Sequence, residues 1–112
     1  MSAVNVENGM PGTRQKGDAQ RLYVVTVPMG AIDAEKHRIL HDVKGLRLQC
    51  RDGTAFRFAF EQGKVGSANP AEPYHTVLAN SHVLIKNLDV KELHLYLACG
   101  GADKVAEVIV WK

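Results

Sequence analysis

The chain is short of the side chains around which covalent stapling or catalysis is usually built. It has two cysteines, one tryptophan, and acidic and basic residues that nearly cancel, with 14 Lys and Arg against 12 Asp and Glu for a net charge of +2. Cys50 and Cys99 lack CxxC spacing, so neither a disulfide framework nor a thiolate metal knuckle is encoded. Both are expected as reduced thiols of a cytosolic product, and a Cys50 to Cys99 disulfide is open only if their strands are neighbours. The basic residues are spread from Arg14 to Lys112. A near-balance distributed in this way supplies no electrostatic footprint for nucleic acid or an anionic membrane. No apolar run approaches the ~20 residues of a membrane helix, and Met1 to Gln20 lacks the apolar stretch of an export signal, so a soluble protein is expected.

The motifs of enzymes and metal sites are missing as well. His37 and His41 stand four apart, but no third ligand follows at a diagnostic spacing; His75, His82 and His94 sit singly among strand-like residues. Cys50 falls on the apolar phase of a strand and Cys99 in a glycine turn, without the surroundings of a nucleophile. Carboxylates are scattered, whereas glycoside hydrolysis needs them in pairs. Gly100-Gly101 followed by Lys104 is not a P-loop, which requires GxxxxGK[ST] leading into a helix. The expectation is a protein that is not an enzyme and has no cofactor and no metal.

What the chain does have is strand vocabulary. Residues 1–20 carry three glycines, one proline and no sustained periodicity, and read as a flexible N-terminal arm before a single domain at 21–112. Arg21 to Val27, dense in β-branched residues and stopped by Pro28, is a first strand. Ala31 to Val43 is compatible with a turn or helical turn leading into a short strand. Leu46, Leu48 and Cys50 then alternate with Arg47, Gln49 and Arg51. After the turn signal Asp52-Gly53, Phe56, Phe58 and Phe60 alternate with Arg57 and Ala59, so the two segments read as a hairpin with one aliphatic and aromatic side.

Gln62 to Pro73 is a Gly/Pro-rich loop, Tyr74 to Ala79 and His82 to Lys86 are short strands, and Asn87 to Val90 is a turn. Lys91 to Lys112 reads as a terminal hairpin across Cys99-Gly100-Gly101, with Leu93, Leu95, Leu97, Val108 and Val110 directed inward and Trp111 pinning its end. Seven or eight short strands at this spacing predict an all-β fold, a small β-sandwich or jelly-roll-like barrel.

Two functional readings come from the residues. The run Phe56 to Phe60, with Arg57 inside it, has the basic and aromatic look of strands that stack bases, which gives a small single-stranded nucleic-acid-binding β-barrel as the alternative. Three rings on one side are also what a core strand needs, so nucleic acid is the disfavoured partner. The outward-facing Arg47, Arg51, Arg57, His94 and Tyr96 are candidate protein-interface residues, since Tyr and Arg contribute most at such surfaces.

The order of phrases in the second half resembles a class of small tailed-bacteriophage virion proteins encoded among head and neck genes. The matching residues are Arg57-Phe58-Ala59-Phe60, Tyr74 to Asn80, Leu95-Tyr96-Leu97 and Glu107-Val108-Ile109-Val110-Trp111. Asn80-Ser81 stands where that class usually has a glycine, and Cys99-Gly100-Gly101 replaces a Ser/Thr-rich turn. The resemblance implies a non-enzymatic β-sandwich capsid decoration or cement protein, or a neck or tail structural protein. It would be located in the virion after assembly in the host cytoplasm. Its implied partners are the major capsid protein or other virion proteins, and its own copies, with a trimer favoured.

Overall fold

A computed structural model describes residues 21–112, and the arm expected at 1–20 lies outside the described residues. Eight strands follow in order: β1 Leu22–Pro28, β2 Lys36–Val43, β3 Gly45–Cys50, β4 Phe56–Ala59, β5 His75–Val77, β6 His82–Ile85, β7 Val90–Cys99 and β8 Val105–Trp111. They form two antiparallel four-stranded sheets, ordered β1-β8-β3-β6 and β2-β7-β4-β5. The expected all-β sandwich is therefore the fold, and its strand order is that of a jelly roll.

The pairings show how the chain achieves this. β1 pairs with β8, β2 with β7, β3 with β6 and β4 with β5, the nested ladder of one long hairpin. Rolling that ribbon up adds β3·β8 and β4·β7 and closes each sheet. As a result β4 and β5 are, among the described strands, the one consecutive pair that are also neighbours. Two expectations are corrected here: β3 and β4 are not a hairpin, and neither are β7 and β8. Each pair is split between the sheets, so Asp52-Gly53 and Gly100-Gly101 make arches across the core rather than reversals within a sheet.

The core fills the space between the sheets. Leu46, Leu48, Cys50, Val108 and Val110 on one sheet face Leu40, Val43, Phe56, Phe58, Leu95, Leu97 and Cys99 on the other. Leu93 is partly buried against this cluster. Asp42 adopts a left-handed conformation (φ 55°) that resets the alternation of β2, so Leu40 and Val43, three residues apart, both face inward. β2 is an eight-residue strand, longer than the short one expected. Phe60 leaves the phase of its two predecessors: it lies past the end of β4 and is 46% exposed, while Phe56 and Phe58 are buried.

The arches at one end are tied to one another. Gly53 N–H donates to the Cys50 carbonyl, Asn80 N–H to the Gly53 carbonyl, and Arg51 N–H to the Val105 carbonyl. Gly53 has φ +83°, and a Cβ there would collide with the Asn80 side chain, so glycine is required on both counts. An ion pair of 2.7 Å between Lys104 Nζ and Asp52 Oδ2 spans the β3–β4 and β7–β8 arches.

Candidate protein interface

The two outer faces of the sandwich have different fates. On the β2-β7-β4-β5 sheet, Arg57, Ala59, Tyr96 and Ala98 point away from the main core, and the β4–β5 loop folds back over them. Val65 from that loop is fully buried with Ala59, Tyr96 and Ala98, and Tyr74 packs against the group. Arg57 holds the loop down: Nε and Nη2 donate to the Val65 carbonyl at 3.1 and 2.7 Å, and Nη2 also reaches Asp33 Oδ1 at 3.0 Å. Glu35 accepts from the backbone N–H groups of Gly63 and Val65. The Gly/Pro-rich loop is thus a cover for its own sheet.

The other sheet has no such cover among the described residues. Its outward rows are set by register: Leu22, Trp111 and Gly45 in one, Val24, Ile109, Arg47 and Leu84 in the next, and Thr26, Glu107, Gln49 and His82 in the third. Val24 is 73% exposed, Leu22 42% and Leu84 44%. The Trp111 indole lies over Gly45, close enough that a Cβ on Gly45 would stand 2.9 Å from its Cε2. This leaves two apolar rows around Arg47, bordered by a polar row. In that row Glu107 accepts from Gln49 Nε2 at 3.1 Å and from Arg51 Nε at 2.9 Å, which hold its carboxyl below the usual carboxylate range. Beside Arg47 and Arg51, a depression of about 420 Å³ is completed by Asn80, Ser81 and His82.

The five candidate interface residues are thus divided. Arg47 and Arg51 belong to the uncovered face and its rim. Arg57, His94 and Tyr96 belong to the opposite sheet, where Arg57 is an internal clamp and Tyr96 is 8% exposed, so the outward exposure expected of those two is corrected. His94 remains half-exposed on the part of that sheet beyond the loop. Sequence reasoning missed Leu22, Val24, Leu84 and Ile109. The available signal was strand parity: once Val108 and Val110 are assigned inward, Ile109 and Trp111 must face out, and an apolar outward row is what a binding surface needs.

Other chemistry is sparse. Both thiols are buried and unpaired with one another: Cys50 Sγ donates to Asp52 Oδ1 and Cys99 Sγ to the Ala55 carbonyl, each at 3.3 Å. Burial pushes the Cys50 thiol up, away from a reactive thiolate. Phe56 and Phe58, the supposed stacking rings, are interior and present no platform to a base. Among the described residues no three His, Cys, Asp or Glu side chains converge to hold a metal ion, and no helix is long and apolar enough to cross a membrane. In comparisons with known proteins, no family model, no curated protein and no solved structure matches the chain.

Proposed function

We propose that the protein is a non-enzymatic structural component of a tailed-phage virion, acting as a capsid decoration or cement protein through protein–protein contacts. The observation that carries this reading is the apolar outer face of the β1-β8-β3-β6 sheet, left uncovered by the described residues, with Arg47 set among Val24, Ile109 and Leu84. A contiguous apolar patch on a small soluble domain marks an interaction surface, and an Arg surrounded by apolar groups has the make-up of an interface hot spot. The resemblance of Arg57 to Phe60 and Glu107 to Trp111 to virion phrases supplies the class of partner. Jelly rolls recur in viral capsids but also in lectins and cupins, so the face and the phrases support the reading and the fold alone does not.

Size-exclusion chromatography with light scattering, followed by incubation with empty heads, tests the proposal. The expected result is a homo-oligomer, with a trimer favoured, that binds heads, and a Val24→Glu, Leu84→Glu variant that folds but loses both associations. A strict monomer without affinity for heads or other virion parts overturns it. Copy number separates decoration from a neck or tail role, because a shell is covered by many more copies than a neck contains.

A further inference from the structure

On the free part of the β2-β7-β4-β5 outer face, two imidazoles meet. His37 on β2 and His94 on β7 approach to 2.9 Å between His37 Nε2 and His94 Nδ1. Their planes lie within 19° and their centroids 5.0 Å apart, so the rings face one another through their nitrogen-bearing edges. Each ring also has a neighbour on a second side. The His37 ring lies parallel to Tyr96 at 4.4 Å and 7°, and Tyr96 is itself fixed by the covering loop. His94 Nε2 stands 3.8 Å from the Glu92 carboxylate.

We propose that His37 and His94 form a two-imidazole site for a divalent transition-metal ion of the zinc or nickel class, with Glu92 as the positioning residue behind His94. The carboxylate favours the proton on His94 Nε2, which leaves Nδ1 free to accept; His37 Nε2–H is then the donor in the short contact. Carboxylate behind imidazole is the arrangement that orients histidine ligands at metal sites. For a tetrahedral ion with metal–nitrogen bonds of 2.0–2.1 Å, the two ligand nitrogens stand about 3.3 Å apart. The nitrogens therefore have to open by a few tenths of an ångström, and both rings have to turn so that lone pairs now aimed at one another converge on the ion.

On binding, the His37 proton passes through water from Nε2 to Nδ1. Both nitrogens then present lone pairs, and no other group need change protonation. The remaining coordination positions go to water. Imidazole donors select zinc, nickel or copper over magnesium or calcium, which prefer oxygen. His41, the other histidine on this face of β2, pairs opposite Glu92 and is not part of the pair.

The test is equilibrium dialysis and calorimetry on the full chain with NiCl2, ZnCl2 and MgCl2. Residues 1–20 contain no histidine or cysteine to compete. One equivalent of nickel or zinc and no magnesium should bind. H37A and H94A should each lose tenfold or more in affinity, the size of effect that loss of an outer partner alone can produce, E92Q should lose several-fold, and H41A should match the parent. Circular dichroism shows whether each variant is folded. In imidazole nitrogen spectra of the parent, nickel should broaden His37 and His94 before His82. Parent-like affinity in folded H37A, broadening centred on another histidine, or no binding at millimolar metal overturns the proposal.

Discussion

Gly45→Ala offers a sharp test of how the outer face of the β1-β8-β3-β6 sheet is built. The backbone there is ordinary strand, so the substitution is not penalised by φ, and it lowers the entropy of the unfolded chain by about 0.4–1 kcal/mol in favour of folding. Against this, the new Cβ would stand 2.9 Å from Trp111 Cε2 and 3.1 Å from the Ile85 carbonyl oxygen. Overpacking of this kind costs about 1–3 kcal/mol, so the net expectation is destabilisation by about 1–2 kcal/mol. In urea, with a slope of about 1 kcal/mol/M for a domain of this size, the midpoint falls by about 1–2 M. The melt is followed by far-ultraviolet circular dichroism, because the same experiment is repeated in a Trp111→Ala background. There the aromatic collision is gone and the Gly45→Ala cost should shrink, leaving a residue due to the Ile85 carbonyl, which is backbone and cannot step aside. Strict additivity of the two changes, or a stabilised Gly45→Ala, refutes the stacked Trp111–Gly45 arrangement.

Three further outcomes are expected. Arg57→Ala should cost about 1–3 kcal/mol by leaving the Val65 carbonyl and the partly buried Asp33 carboxylate without their partner, and should speed hydrogen exchange at Gly63, Val65 and Ser67 while sparing β8; uniform protection in that loop would count against the clamp. Asp52, Asp89 and Glu107 are held below their ordinary values, chiefly by hydrogen bonds from Lys104, Lys44 and Arg51. Groups depressed in the folded state stabilise it above their unfolded values near pH 4 and cease to do so as pH falls through the folded ones, so thermal midpoints should drop in acid. Asp52→Asn should be less stable near neutrality and show a shallower acid decline, and an acid limb parallel to the parent's would refute the Lys104–Asp52 link. Deletion of Val108 to Lys112 removes part of a strand paired on both sides and four residues' worth of ladder with each of β1 and β3; a cooperative melt in the truncated chain would contradict its central place.

The inward and outward phase of most strands was legible because side chains alternate along a strand whatever its partner. Leu46, Leu48 and Cys50, or Leu95 and Leu97, are inward in both the sequence reading and the structure for that reason. Pairing was not legible, since two apolar strand faces look the same in sequence whether they lie side by side on one sheet or opposite each other across a core. Asp52-Gly53 signals a change of direction and carries no information about which sheet receives the chain. Tyr96 was misread because its cover, Val65, comes from 31 positions earlier in a loop whose composition suggests exposure. The facing of His37 and His94 depended on the β2·β7 register, which no local pattern in Ala31 to Val43 discloses.

The nested ribbon also sets the order in which this protein can come into being. β8 lies between β1 and β3, so the sheet bearing the proposed interface has no centre until Val105–Trp111 has left the ribosome. β4 and β5 can meet while the chain is still growing; Leu22 must wait for Trp111. Closure of such distant contacts is slow. The apolar rows around Arg47 are therefore assembled only once β8 has joined β1 and β3, so this face forms later than the local β4–β5 pairing.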